Sequence, residues 1–315
     1  TAVTFVAAFA VGVLVALQSR INADLASEGG GGLVAASISF GTGLALIAVI
    51  LLATPRIRAG LAGIPNALRN HQLRWWQLLG GLGGAWLVTT QGLVVAVVGV
   101  SIFTVAGVAG RVAGSLVVDR AGLSPAGVLH VTARRVTAAV VALVAVLLSG
   151  LSAGTGTVSW VVLLAVSAGV GISVQQAING RVSVATRQPV AAATVNFTVG
   201  FSALFAATLA LVAVGVIEVT GLPGLPGQWW LYLGGPIGVT FIALAAWAVR
   251  AVGVLTFGLL SIAGQLVGAV ILDAILPSGT APLGWPQWAG LACVAVAVVL
   301  AAVPGDGTSG GRMTK

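Results

Sequence analysis

The sequence predicts an all-α membrane protein of ten transmembrane helices, arranged as two inverted-topology five-helix repeats. Three observations carry this reading. Apolar residues fill 58% of the 315 positions and charged residues only 6%. A soluble domain carries about 25% charged residues, so most of this surface must face lipid and not water. Ten apolar segments are each close to the roughly 20 residues that a span needs. Residues of the first half also recur in the second at a nearly constant offset.

The first span, 2–20, is followed by no soluble region, so it reads as a span and not a cleaved signal peptide. The second, 33–53, follows a glycine cluster at 29–32. That cluster does not stand between a strand and a helix, and neither does the one at 80–84, so neither is a phosphate loop. The third and fourth, 77–97 and 101–118, leave room at Gly99 only for a tight hairpin, and the fifth is 131–149. The second set is 159–178, 190–214, 229–249, 254–272 and 286–303, with another tight turn at Gly253. Pro236 is expected to kink the eighth span. The repeats are placed at 1–150 and 151–304, and the Gly-rich polar segment 305–315 is expected to be a disordered cytoplasmic tail.

Orientation follows from Lys and Arg counted by side. With the amino terminus inside, the inner segments hold Arg56, Arg58, Arg69, Arg74, Arg120, Arg134, Arg135, Arg181, Arg187, Arg250, Arg312 and Lys315, and the outer segments hold Arg20. Both termini are then cytoplasmic, in the plasma (inner) membrane. The net charge of +8 becomes a mark of topology, which removes the reason to expect a nucleic-acid partner. Trp75, Trp76, Trp229, Trp230, Trp285 and Trp288 lie at span ends, as interfacial aromatics do.

The repeat shows at an offset of 157. Gly12, Val13, Gln18, Ile21 and Asn22 meet Gly169, Val170, Gln175, Ile178 and Asn179, and Phe40 and Gly43 meet Phe197 and Gly200. An offset of 154 then pairs Trp75, Trp76, Gly80, Gly81 and Gly84 with Trp229, Trp230, Gly234, Gly235 and Gly238. It also pairs Gly99, Phe103, Gly110, Gly114 and Asp119 with Gly253, Phe257, Gly264, Gly268 and Asp273. An odd number of spans per copy makes the second copy enter the membrane from the opposite side, an architecture recurrent among secondary transporters.

The segments Gln18-Ser-Arg-Ile-Asn22, Ser39-Phe-Gly-Thr-Gly43 and Ala109-Gly-Arg-Val-Ala-Gly-Ser-Leu-Val-Val-Asp119 resemble the YdcZ-like family of the drug/metabolite transporter superfamily. Members occur as paired short proteins or as fused chains, and this chain resembles a fused one. The resemblance implies a ten-helix fold with a central cavity and small-solute export. The family pattern usually has Gln after Ala-Gly; Gln265 keeps it and Arg111 departs from it. The first helix lacks the Glu of the superfamily's small multidrug exporters, so proton-coupled cation export is not implied.

Arg111 is the sharpest candidate. It lies about ten residues into its span, roughly 15 Å deep at 1.5 Å per residue. Such a charge costs about 2.5–3.5 kcal/mol to insert, which a water-filled cavity, an anionic solute or backbone carbonyls would offset. Gln265 holds the equivalent depth in the other half. Gln18 and Asn22 share a helix face, as do Gln175 and Asn179; they are expected either to contact substrate or to bond helices together. Thr89, Thr90, Gln91 and nearby Trp86 make a polar patch whose counterparts are Ala243, Leu244 and Ala245. The pairs Gly80/Gly84, Gly234/Gly238, Gly110/Gly114 and Gly264/Gly268 have the GxxxG spacing that lets helices approach closely. Asp119 and Asp273 read as caps or loop anchors. His71, His130 and Cys293 suggest no metal centre, and no cofactor is expected. The leading function is a secondary transporter of a small, anionic or carboxylate-bearing solute, exporting by alternating access between the repeats. A lipid-handling protein and a non-transporting scaffold are the alternatives. The partners expected are that solute and the bilayer. One fused chain can suffice, and a homodimer stays open.

Overall fold

The computed structural model describes residues 2–123, 125, 127–128, 132–151, 158–219, 221–252, 254–276 and 284–302. Among these there is no strand. The helices are α1 (Ala2–Gly29), α2 (Gly32–Ala53), α3 (Pro55–Ala62), α4 (Ile64–Arg69), α5 (Gly81–Arg120), α6 (Ala133–Leu151), α7 (Val158–Thr186), α8 (Pro189–Ala213), α9 (Gly234–Val252), α10 (Val254–Ile275) and α11 (Trp285–Ala302). Short 3₁₀ turns at Trp75–Leu78 and Trp229–Leu233 precede α5 and α9. Five helical segments among the described residues, Ala2–Gly29, Gly32–Ala53, Trp75–Arg120, Trp160–Thr186 and Pro189–Ala213, are long and apolar enough to cross a membrane. The segment 305–315 lies outside the described residues, and so do His130 and the expected turn at Gly253.

Helix α5 is 40 residues long but is not one rod. Gly99 sits inside it at φ 82, ψ 167, a region open in practice to glycine alone. Gly83 and Gly114 would be about 46 Å apart on a straight helix. Both instead lie against α7, Gly83 beside Gly171 and Gln175 and Gly114 beside Val170 and Ser173. The chain therefore folds back at Gly99. The new helix start is closed by a distant carboxylate: Val100 N–H and Ser101 N–H donate to Asp273 Oδ1 and Oδ2 at 2.9 and 2.7 Å. A negative charge at a helix N-terminus also meets the favourable end of its dipole.

The two halves pack by exchange of equivalent contacts. α5 packs most extensively on α7, and α1 on α10. A side chain at Gly110 would strike the Val166 carbonyl, and one at Gly264 would strike the Phe9 carbonyl. Gly169 faces Gly107 O and Arg111 N, while Gly12 faces Ser261 O and Gln265 N. Gly81 faces Asn196 O and Gly200 N; Gly235 faces Ser39 O and Gly43 N. Each contact reappears with the halves swapped, which is the signature of a two-fold relation. In lipid no hydrophobic drive brings helices together, so backbones in direct van der Waals contact must hold them. α6 pairs with α11 and α2 with α8, each pair being equivalents across the same relation.

Three features differ from the sequence reading. α1 continues two turns past 20, where Arg20 and Asp24 form an i,i+4 ion pair at 3.0 Å, Asn22 Nδ2 donates to Gln91 Oε1 and Ser27 Oγ donates to Asp24 O. The loop after the second span contains α3 and α4, whose Arg-rich, weakly apolar sequences give no span signal. Pro236 falls in the first turn of α9. There its missing N–H would have had no helical partner anyway, so it starts the helix and does not interrupt it.

Candidate functional site

The helices enclose a central cavity of about 930 Å³, walled by both halves through α1, α2, α5, α7, α8, α9 and α10. Its position follows from the two-fold relation. Phe40 and Phe197 are equivalents and meet each other, ring centroids 5.0 Å apart at 38°. Arg111 and Gln265 are also equivalents, and Arg111 Nη2 donates to Gln265 Oε1 at 2.6 Å. A residue that touches its own equivalent lies on the axis, so the axis passes through both pairs and the cavity surrounds it.

Arg111 is held from behind by backbone packing. Its N–H lies where a Cβ on Gly169 would intrude, at 2.8 Å, and Ser173 Oγ donates to its carbonyl at 2.9 Å. Gln265 is only 4% exposed. Among the described residues lining the cavity, Arg111 alone carries a formal charge. Its partner is a neutral amide, which leaves the positive charge uncancelled. Apolar side chains, among them Phe40, Leu87, Phe103, Ile172, Phe197 and Phe241, form most of the remaining wall.

Six of the eight sequence-predicted polar positions line this cavity: Gln18, Gln91, Arg111, Gln175, Asn179 and Gln265. Gln18 Nε2 donates to Gly234 O at 2.7 Å. Gln175 Oε1 is buried without a hydrogen-bond partner among the described residues and lies against Gly83 and Gly84. Asn179 Nδ2 donates to Asn196 Oδ1 at 3.2 Å. Asn22 stands one layer behind the wall, fully buried, and donates to Gln91 Oε1 at 2.6 Å. Gln91 Nε2 in turn donates to Ser19 Oγ at 2.9 Å. Trp86 is not brought to the cavity. It is 39% exposed, and its indole N–H donates to Ser167 Oγ at 2.9 Å.

The GxxxG glycines sit at helix crossings that also frame the wall. Gly80 faces Asn179 and Gly234 faces Asn22, while Gly84 lies beside Gln175 and Phe40 and Gly238 beside Gln18 and Phe197. Gly114 and Gly268 lie against Val170 and Val13. Sequence reasoning missed Ser19, Gln176, Asn196 and the meeting of the Phe40 and Phe197 rings. Asn196 gave a usable signal, since it is the equivalent of Ser39 in the Ser-Phe pair that recurs as Asn-Phe.

The sequence matches the family described as "Putative inner membrane exporter, YdcZ" twice, over residues 3–148 and again over 160–300. No curated protein matches it. One solved crystal structure of a protein shares the fold at a TM-score of 0.51, with 16% identity and 95% of each chain covered.

Proposed function

We propose that this chain, which belongs to the YdcZ family and carries the family unit twice, is a secondary transporter, not an enzyme, that exports an organic anion with an apolar body. The observation that carries this reading is the charge on the axis. Arg111 faces a neutral amide in a cavity whose described lining holds no acid. A guanidinium offers five N–H donors in a planar fork that suits a carboxylate. A cation would meet repulsion there with nothing to offset it. The phenylalanine and aliphatic walls would take the rest of the solute.

The exchange of packing contacts between halves supports inverted repeats, and the twelve-to-one Lys and Arg distribution supports cytoplasmic termini. On this reading the repeats exchange conformations and open the axial site to one side and then the other. An inside-negative potential would favour anion exit by about 2.3 kcal/mol per charge per 100 mV. One chain holds both halves and suffices. A non-transporting scaffold gives no reason for a cavity on the axis.

The test is flux of aromatic and branched carboxylates in proteoliposomes, with Arg111→Gln as the variant. This restores the neutral pair of the family pattern. Loss of at least about tenfold in anion flux, the equivalent of about 1.4 kcal/mol, is expected from removing one charged hydrogen-bonding partner. Anion flux equal to that of the unaltered protein would refute the assignment.

A further inference from the structure

Equivalent residues at the two ends of the axis are not in equivalent surroundings. At the Arg-poor end, Ser19, Asn22 and Gln91 are all at 0% exposure, with Ala23 at 3% and Ala26 at 6%. Their equivalents at the Arg-rich end are Gln176, Asn179, Ala245, Gly180 and Ser183. Every one of these lines the cavity, and none is buried. The same contrast holds one turn further on. Gly32 is packed so that a Cβ would lie 2.7 Å from Thr89 O, whereas its equivalent Pro189 lines the cavity. Gly92 likewise presses on Gly32 and Ala26, at 2.7 and 3.0 Å from an added Cβ.

We infer that the chain of side chains Asn22–Gln91–Ser19 is a latch that closes the Arg-poor face, and that the structure is the state open toward the Arg-rich face. The proposal rests on the transporter reading and assigns its gate. Gln91 is the centre of the latch: its carbonyl accepts from Asn22 at 2.6 Å, its amide donates to Ser19 at 2.9 Å, and Ser19 is anchored to Val15 O at 2.9 Å. The backbones of Gly32 and Gly92 pack directly against each other beside it. At the other face the sequence places Ala245 where Gln91 has its equivalent, and Gln176 where Ser19 has its own. Ala245 cannot bridge Gln176 and Asn179, so that face has no matching latch. The missing amide biases the resting equilibrium toward opening at the Arg-rich face. It also explains why the Thr89-Thr90-Gln91 patch has no polar counterpart in the second half.

The experiment uses the 315-residue chain with Cys293→Ser, so that one introduced thiol reports. Ala26→Cys and Ser183→Cys are made separately at equivalent positions. Each is labelled with a membrane-impermeant maleimide in right-side-out and inverted vesicles. In the otherwise unaltered chain, Ser183→Cys labels and Ala26→Cys is protected. Adding Gln91→Ala breaks the latch, and adding Ala245→Gln supplies the missing one. Both are expected to raise labelling at Ala26→Cys by about fivefold or more and to lower it at Ser183→Cys, as a shifted two-state equilibrium requires. Ala245→Gln leaves the latch residues untouched, so it reports even where Gln91→Ala fails to fold. Protection of Ala26→Cys unchanged by Ala245→Gln overturns the latch. If labelling shifts as expected while no carboxylate is transported, the gate stands and the anion assignment fails.

Discussion

Removing the Asp273 carboxylate is expected to destabilise the fold-back of α5 by about 3 kcal/mol. The two N–H groups of Val100 and Ser101 begin the second half of α5 and have no preceding turn to bond to, because Gly99 breaks the helix. Each donates to one Asp273 oxygen, at 2.9 and 2.7 Å. A hydrogen bond to a charged acceptor contributes about 1.5–3 kcal/mol net, and the lower end applies because the contact is partly buried. Two such bonds give about 3 kcal/mol for Asp273→Ala and about half that for Asp273→Asn, which keeps one acceptor. At roughly 2–4 °C per kcal/mol, the thermal midpoint should fall by on the order of 6–12 °C. Tryptophan fluorescence of the detergent-solubilised protein reads this directly, since the chain has nine Trp. Gly99→Ala should add about 1–3 kcal/mol of backbone strain, and its Cβ would press on the carboxylate at 3.1 Å. The two changes touch one contact, so the double variant should lose less than the sum. An Asp273→Ala midpoint unchanged to within about 1 °C would refute the reasoning.

Two further predictions follow from the packing. Gly110→Val and Gly264→Val each drive a side chain into a backbone carbonyl of the other half, so both should lose at least about 1–3 kcal/mol and should do so alike. Gly31→Ala is the control: nothing lies within 4 Å of its added Cβ, and only its φ of 99° is strained. Thermal midpoints of the three variants, measured together, decide whether the crossings or mere loss of glycine matters. Trp86→Phe should lose one hydrogen bond to Ser167, about 0.5–1.5 kcal/mol, and leave carboxylate flux unchanged, because the indole is off the cavity; a tenfold flux defect in the folded variant would place Trp86 in the path.

Much of this architecture is legible in the sequence because lipid makes strong demands. Apolar runs, interfacial Trp and the recurring Gly and Gln positions each have a physical reason that leaves a residue-level mark. The meeting of Arg111 with Gln265 follows from one further step, that equivalents at equal depth near an axis can touch. Other features leave weaker marks. α3 and α4 are short and Arg-rich, and neither hydropathy nor spacing announces them. The extension of α1 to Gly29 is hidden because its polar residues resemble a loop until their partners are known. The asymmetry between Asn22 and Asn179 cannot be read at all from two identical letters at one offset. It depends on their partners, Gln91 beside Asn22 and Asn196 beside Asn179, which only the packing identifies.

The contact between Arg111 and Gln265 also bears on why the two halves are not identical. Two identical chains related by the same axis would have to present the same residue from both sides. They would bring together either two amides or two guanidiniums. Two like charges about 4 Å apart repel by roughly 4 kcal/mol at an effective dielectric of 20. A pair of identical subunits thus has only even numbers of charges to offer at its centre, and the smallest is zero. Two halves encoded separately after duplication can diverge at one position and hold a single cation there. An odd electrostatic count on a symmetry element is a property that duplication followed by divergence makes available and that self-association denies.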